Sequence, residues 1–385
     1  MMQTLPLTGS AICEIRSYVY RTPISSPVQT SFGTMRDRPM VLVRIEDTEG
    51  MVGWGEIWCN FPACGAEHRA RLVTSVLAPL LLGRTLVDPS EMWSDLTNKT
   101  EILAIQSGER GPIAQAIAGV DIALWDLVAR RSDLPLWRLL GGESGTIGVY
   151  ASGLNPDEPE RAALTAQRAG YRAFKLKVGF DDALDERNVR VLRDILDPAA
   201  ALMLDANQAW DVEGAIQAAA RLGRYAIGWL EEPLRADRPL NDWQQLAATV
   251  NIPLAAGENI TSAEDFYAAI ASGALGVVQP DIAKWGGFSA CRSIARAIRE
   301  QGRRFCPHYL GGGVGLLASA HLLAAIGGDG LLEVDTNENP LRDILAGSIN
   351  VVREGHVTLP EHPGLGILPD LGELAAFTVA HYVAS

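Results

Sequence analysis

Between residues 146 and 335, short apolar runs recur eight times, each followed by an Ala- and Arg-rich stretch of helical character. They are TIGVYASG (146–153), AFKLKVG (173–179), ALMLDAN (201–207), IGWLEEP (227–233), IPLAAGEN (252–259), LGVVQPD (275–281), RRFCPHY (303–309) and GLLEVD (330–335). Eight β-units separated by roughly 20 to 30 residues fit a parallel α/β barrel better than an open doubly wound sheet. No G-x-G-x-x-G follows the first strand of any unit, and GGGVG at 311–315 lacks a dinucleotide-binding context.

Polar residues cluster at the C-terminal ends of these runs: Lys175 and Lys177, Asp205 and Asn207, Glu231, Glu258, Asp281, His308 and Glu333. In a barrel those ends converge on one face, where such folds keep their chemistry. One such residue alone reads as an ordinary loop polar group. The pattern in seven of eight units reads as a site.

Ahead of the barrel, residues 11–58 read as strands. AICEIRSYVY leads into a polar loop, RTPISSPVQTSFGTMRDRP, and a hairpin follows, built from MVLVRIED, the turn TEG and MVGWGEIW. From about residue 66 to 140 the texture is helical, clearest where Ile117, Val120, Leu124 and Val128 recur at helical spacing. Hairpin plus helices suggest an α+β domain over residues 1–140. The barrel then occupies 141–359, and the turn-rich tail 360–385 packs back on the first domain.

Partners are bounded by charge. The 385 residues carry 46 acidic against 33 basic side chains, a net −13 with no basic run, which argues against nucleic acid or an anionic membrane. The most apolar short run, SVLAPLLLG (75–83), is too short to span a bilayer, and no signal peptide is evident. Cys13, Cys59, Cys64, Cys291 and Cys306 form no C-x-x-C pair and read as buried, reduced thiols of a cytoplasmic protein. A small-molecule carboxylate is the expected partner, within a homo-oligomer.

Asp205, Glu231 and Glu258 end consecutive strands. Three carboxylates aimed at one point cannot all stay ionised without a cation. An all-oxygen set without nearby His or Cys points to one hard divalent ion, Mg²⁺, whereas pairing with arginines at helix N-termini is the structural alternative. Asp281 beside His308 would fix the imidazole tautomer and raise its basicity, though a lone core histidine could be satisfied by backbone. Glu232 should point away from Glu231, and Trp54 and Glu56 read as hairpin packing and a cap-to-barrel contact.

These motifs resemble the enolase superfamily, and within it the mandelate racemase subgroup (mandelate racemase/muconate lactonizing enzyme-like, acid sugar dehydratase-like). The resemblance spans essentially the whole chain and includes GVDIALWDLVARRSDLPLWRLLGG, KLK, LDAN, EEP, GEN, QPD, PHY and LEVD. It implies a modified TIM barrel of the (β/α)7β type with an α+β capping domain formed by the N-terminal part and the tail. It also implies Asp205, Glu231 and Glu258 as Mg²⁺ ligands, Lys177 as proton-transferring base and Lys175 as its electrostatic neighbour. His308 with Asp281 would act on the opposite face, Glu333 would hydrogen-bond the substrate carboxylate, and Asn207 would contact substrate. Muconate-lactonizing relatives carry a lysine on strand six; here that position is Asp281, and Lys284 falls in the following loop.

The chemistry implied is abstraction of the proton α to a carboxylate through a stabilised enediolate. A lysine base working near pH 7 must be lowered by about 3 units, roughly 4 kcal/mol, and Lys175 is the charge placed to do it. Dehydration of an acid sugar to a 2-keto-3-deoxy acid (a carbon-oxygen lyase, or hydro-lyase) is the favoured expectation. Two-base racemisation or epimerisation of a 2-hydroxy acid is the alternative, and a non-catalytic relative is disfavoured because no ligand or base is missing. The polar loop 25–38 suits a polar substrate, while Trp58 and Phe61 suit an apolar one.

Overall fold

The computed structural model describes residues 10–30 and 33–385. The first strand, β1 (Ile12–Thr30), pairs antiparallel with β2 (Gly33–Asp47), which turns through residues 48–51 into β3 (Val52–Ile57). The stretch expected as a polar loop, 21–39, is instead a β-ribbon. Its ladder continues through Thr22↔Arg38, Pro23↔Asp37 and Val28↔Met35, with an irregularity between Pro23 and Val28. Pro23 and Pro27 mimic loop composition, but proline is tolerated at such bulges, and Val28 and Met35 are buried. Residues 31–32 of that stretch lie outside the described residues.

Three helices cover the sheet: α1 (Gly65–Leu72), α2 (Pro89–Ser107) and α3 (Arg110–Arg131). The helix α3 is long and apolar enough to cross a bilayer, yet 89% of its apolar window is buried inside the protein. It packs against β3 at backbone distance: a Cβ on Gly55 would lie 2.0 Å from the Gly119 carbonyl oxygen. The glycines of "MVGWGEIW" are there to allow that approach.

Eight parallel strands follow: β4 (Thr146–Leu154), β5 (Ala173–Lys177), β6 (Ala201–Asp205), β7 (Ile227–Glu231), β8 (Leu254–Ala256), β9 (Val277–Val278), β10 (Arg304–Phe305) and β11 (Leu331–Asp335). A helix joins each to the next, from Pro159–Arg168 after β4 to Gly313–Ile326 before β11. The sheet runs β10-β9-β8-β7-β6-β5-β4-β11, a nearly closed (β/α)7β barrel. Across the remaining seam the Leu331 amide donates to Cys306 Sγ at 3.4 Å. A short strand β12 (His356–Thr358) pairs antiparallel with β4, and β13 (Thr378–Ala384) returns to the edge of β1.

One apolar core lies within the cap, a larger one runs from Tyr18, Leu42, Trp54 and Trp125 of the cap into the barrel, and polar contacts add to that joint. Buried Glu56 accepts from Tyr309 Oη (2.6 Å), Gly312 N (2.5 Å) and Gly315 N (2.9 Å), tying β3 to the N-terminus of helix Gly313–Ile326. Cys59, Cys291 and Cys306 are buried, whereas Cys13 and Cys64 are exposed, contrary to the expectation of five buried thiols. Both sit on the cap surface, on an outward strand position and just before α1, where nothing covers them.

Candidate active site

The barrel interior is layered by strand alternation. One layer is Tyr150, Ala173, Met203, Trp229, Ala255, Val277, Cys306 and Leu331, one residue from each unit. Side chains two apart face the same way, so the next layer is Ser152, Lys175, Asp205, Glu231, Gly257, Gln279, His308 and Glu333. An apolar floor thus lies beneath a polar ring.

On one side of the ring the lysines meet acids. Lys175 Nζ, 1% exposed, lies 2.5 Å from Glu231 Oε1, 2.8 Å from Glu333 Oε1 and 3.6 Å from Asp205 Oδ2. Lys177 Nζ contacts Asp205 Oδ2 and Asn207 Oδ1, both at 2.6 Å. Burial works against both ammonium charges, but Glu231 and Glu333 hold Lys175 well above the usual lysine range, and Asp205 raises Lys177. Lys175 does push Lys177 down, as its placement suggests, but Asp205 outweighs it. Lys177 is therefore protonated, as the cation closest to Asp205.

On the other side, His308 Nδ1 lies 2.7 Å from Asp281 Oδ2, and its Nε2 lies 2.8 Å from Glu258 Oε2 and 3.9 Å from Glu333 Oε2. Burial opposes the imidazolium, yet Glu258, Glu333 and Asp281 hold His308 well above its ordinary value. Asp281 Oδ1 also accepts from the Ala283 and Lys284 amides, which fixes its orientation. Strands β5 and β10 are separated by β4 and β11 on one side of the barrel, so Lys177 and His308 face each other across the ring.

Glu231 and Asp205 close their strand ladders, whereas Glu258, Asp281 and His308 lie past the hydrogen-bonded parts of β8, β9 and β10. Glu258 enters the site because Gly257, at φ 149°, redirects the chain where a Cβ would lie 2.6 Å from the Gln279 amide nitrogen. Glu231 also accepts from Trp229 Nε1 (3.1 Å) and Gln279 Nε2 (2.7 Å). Burial, then Asp205 and Glu333, push its carboxyl up to about 7, because Lys175 is shared among three acids.

Two residues depart from the strand-end pattern. Glu232 does not point away: a φ of 40° turns it inward, where it is 2% exposed and accepts from Asn259 Nδ2 at 2.8 Å. Burial and the charges of Glu258 and Asp205 raise its carboxyl well above the usual range. Lys284, expected in a loop, is buried beside Glu258 Oε1 (3.3 Å) and Asn259 Oδ1 (2.9 Å), 4.7 Å over the Trp58 ring. Trp58 thereby brings the cap to the site. The one available signal for Lys284 was its spacing three residues after a turn-capping aspartate.

Among the described residues, no three Asp, Glu, His or Cys side chains converge as a ready-made metal cluster. Asp205, Glu231 and Glu258 are each engaged by a lysine or His308 instead. The donor chemistry nevertheless fits a divalent ion. Six carboxyls, Asp205, Glu231, Glu232, Glu258, Asp281 and Glu333, crowd against only Lys175, Lys177, Lys284 and His308, and burial with neighbouring acids holds Glu231 and Glu232 above the usual carboxylate range. Glu232 Oε2 is buried with no hydrogen-bond partner. Hard oxygen donors in excess suit Mg²⁺.

A family model described as "Mandelate racemase / muconate lactonizing enzyme, N-terminal domain" matches residues 13–141, and one described as "Enolase C-terminal domain-like" matches 158–373. The chain belongs to the enolase superfamily, in its mandelate racemase/muconate lactonizing enzyme branch. It is similar to a mandelate racemase/muconate lactonizing enzyme structure from Bordetella bronchiseptica, at 55% identity, TM-score 0.91, covering 96% of this chain and 99% of that one. It is 31% identical to D-galactarolactone cycloisomerase of Agrobacterium fabrum, over 92% of this chain and 96% of the relative. L-talarate/galactarate dehydratase from Salmonella typhimurium, in a structure liganded with Mg and L-lyxarohydroxamate, matches at 26% identity and TM-score 0.85, covering 100% of this chain and 97% of that one. The relatives are enzymes, and dehydratases, cycloisomerases and racemases all occur among them.

Proposed function

We propose that the protein removes the proton α to the carboxylate of an acid sugar and expels the β-hydroxyl as water, giving a 2-keto-3-deoxy acid. The observation that carries this reading is Lys177 facing the His308–Asp281 pair across a ring of buried carboxylates. Asp205, Glu231 and Glu258 would hold Mg²⁺. When bound, it would neutralise Asp205 and stabilise the negative charge that develops on the substrate carboxylate.

Lys177 Nζ then serves as base, taking the α-proton as the enediolate forms, while the Lys175 charge disfavours its reprotonation. Lys175 and Glu333 hold the end of the site where the substrate carboxylate is placed, and Asn207 contacts a substrate hydroxyl. His308, charged in this arrangement, donates from Nε2 to the departing β-oxygen. The resulting enol tautomerises to the ketone. If the leaving oxygen belongs to a lactone ring, the same residues open the ring, a variant suggested by the 31% identical cycloisomerase.

Racemisation is the second reading, favoured by the opposed placement of Lys177 and His308, either of which could return a proton. A screen of mono- and diacid sugars for 2-keto acid formation, with Mg²⁺ and with EDTA, separates the two. The dehydratase reading expects a 2-keto acid that EDTA abolishes. Proton exchange without keto acid would favour racemisation, and keto acid indifferent to EDTA would overturn the metal assignment.

A further inference from the structure

The last two turns of α2 carry their apolar side chains outward. Ile102 is 73% exposed, Leu103 43% and Ile105 50%, three large aliphatic side chains within four positions. At 100° per residue these three share one side of the helix, and buried Ala104 takes the other. Single exposed aliphatics are ordinary on a protein surface, but a contiguous group marks a contact surface. Helix formation does not call for them, since Glu, Lys or Gln propagates a helix better than isoleucine.

Beside this ridge lies a cleft of about 410 Å³, between α2, α3 and the loops that follow β8 and β9. Trp93 of α2, Ile113 and Ile117 of α3, and Trp285 form its apolar walls. Trp93 and Trp285 meet edge to face, with ring centroids 6.2 Å apart, so the cap and the barrel each contribute one ring. Asn98 and Glu101 also line the cleft, each four residues before a member of the ridge, so ridge and cleft share a border along α2. Glu101, Arg110 and Glu264 face the cleft and make no ion pair among the described residues.

An apolar ridge, an aromatic-lined recess next to it and unpaired charges of both signs make a surface complementary to a copy of itself. Each chain carries a net charge of −13, so two copies repel at long range and need such a face to stay together. We propose that this face of α2 is the interface of a homodimer, with Ile102 and Ile105 of each copy seated in the Trp93–Trp285 cleft of the other. Arg110 then meets an acid across the two-fold axis, Glu101 or Glu264 of the partner subunit. The contact also bears on the barrel. Thr261 and Ser262, in the cleft wall, follow Glu258 and Asn259, and Trp285 follows Lys284, so the ridge closes against the loops that carry them.

The test is sedimentation velocity of the full chain over a dilution series, for the wild type, I102E/I105E, I102L/I105L and T97R. The wild type is expected at twice the mass of one chain. I102E/I105E should raise the dissociation constant about 10²-fold or more, because it removes both apolar anchors. T97R, which fills the cleft and leaves the ridge intact, should do the same, and it decides the case if I102E/I105E misfolds. The helical circular dichroism of I102E/I105E should match the wild type, since both positions are exposed and Glu is the better helix former. I102L/I105L, still apolar, should keep the wild-type mass. A monomeric wild type, or a wild-type dissociation constant in I102E/I105E, would overturn the proposal. T97R associating normally while I102E/I105E does not would place the ridge outside the cleft and overturn it equally.

Discussion

Arg38 Nη2 lies 2.5 Å from Asp335 Oδ2, and the two side chains are only 1% and 6% exposed. The pair joins the cap ribbon to the end of β11, the strand that carries Glu333. Arg38 Nε also donates to the Glu338 carbonyl, and Ser25 donates to Glu338 Oε2 through both its amide and its hydroxyl. Replacing Arg38 with Met leaves Asp335 buried without its closest cation, at a cost of about 3 kcal/mol. Urea unfolding should show that loss, together with faster proteolysis within 21–39. An unchanged midpoint and cleavage rate would contradict the latch.

Glu56 performs a similar task from β3. Glu56→Ala strands the Tyr309 hydroxyl and the Gly312 and Gly315 amides at once, so a loss of about 3 kcal/mol or more is expected. Tyr309 is next to His308, and its own amide faces Glu333 Oε2 at 3.3 Å. Turnover should therefore fall even below the melting range, which a purely remote brace would not cause.

His321 sets an acid limit on stability. Trp137 N donates to its Nδ1 at 3.0 Å, so that nitrogen must be unprotonated, and burial lowers the imidazole to about 3. The unfolded chain binds this proton from about pH 6.5 downward. Its contribution is therefore complete above pH 6.5 and is lost as pH falls toward 3, by up to about 5 kcal/mol. Urea midpoints at pH 7.5, 5.5 and 4.5 should fall more steeply for the wild type than for His321→Gln. Parallel declines would remove His321 from the account.

The two proton carriers should separate on substitution. His308→Asn is expected to lower 2-keto acid formation by about 10² to 10⁴, while Lys177 still exchanges the α-proton of one stereoisomer. Measuring exchange and product together by proton NMR checks this. Loss of both in equal measure would mean that His308 is the base.

The barrel and its polar ring were legible because they depend on a local rule. A strand repeats every two residues, so LDAN, EEP and PHY announce which side chains point inward. The rest depends on contacts distant in sequence. The ribbon at 21–39 is rich in Ser and Pro, and only pairing across the hairpin and anchoring at Asp335 and Glu338 make it a strand. Glu232 was misplaced because a left-handed residue other than glycine leaves no compositional trace. Lys284 does lie in the loop after β9, but the turn capped by Asp281 brings it back beside Glu258, which its place in a loop did not reveal. The protonated state of Lys177 follows from Asp205 lying 2.6 Å away, a distance no spacing rule supplies.

The most direct test follows the α-proton of candidate acid sugars in D₂O with Mg²⁺, comparing the wild type with Lys177→Ala and with the wild type in EDTA. Loss of the α-proton signal with 2-keto acid formation, abolished both by EDTA and by Lys177→Ala, is the predicted result. Product formation that survives either treatment, or no α-proton loss from any 2-hydroxy acid while Mg²⁺ is bound, would contradict it.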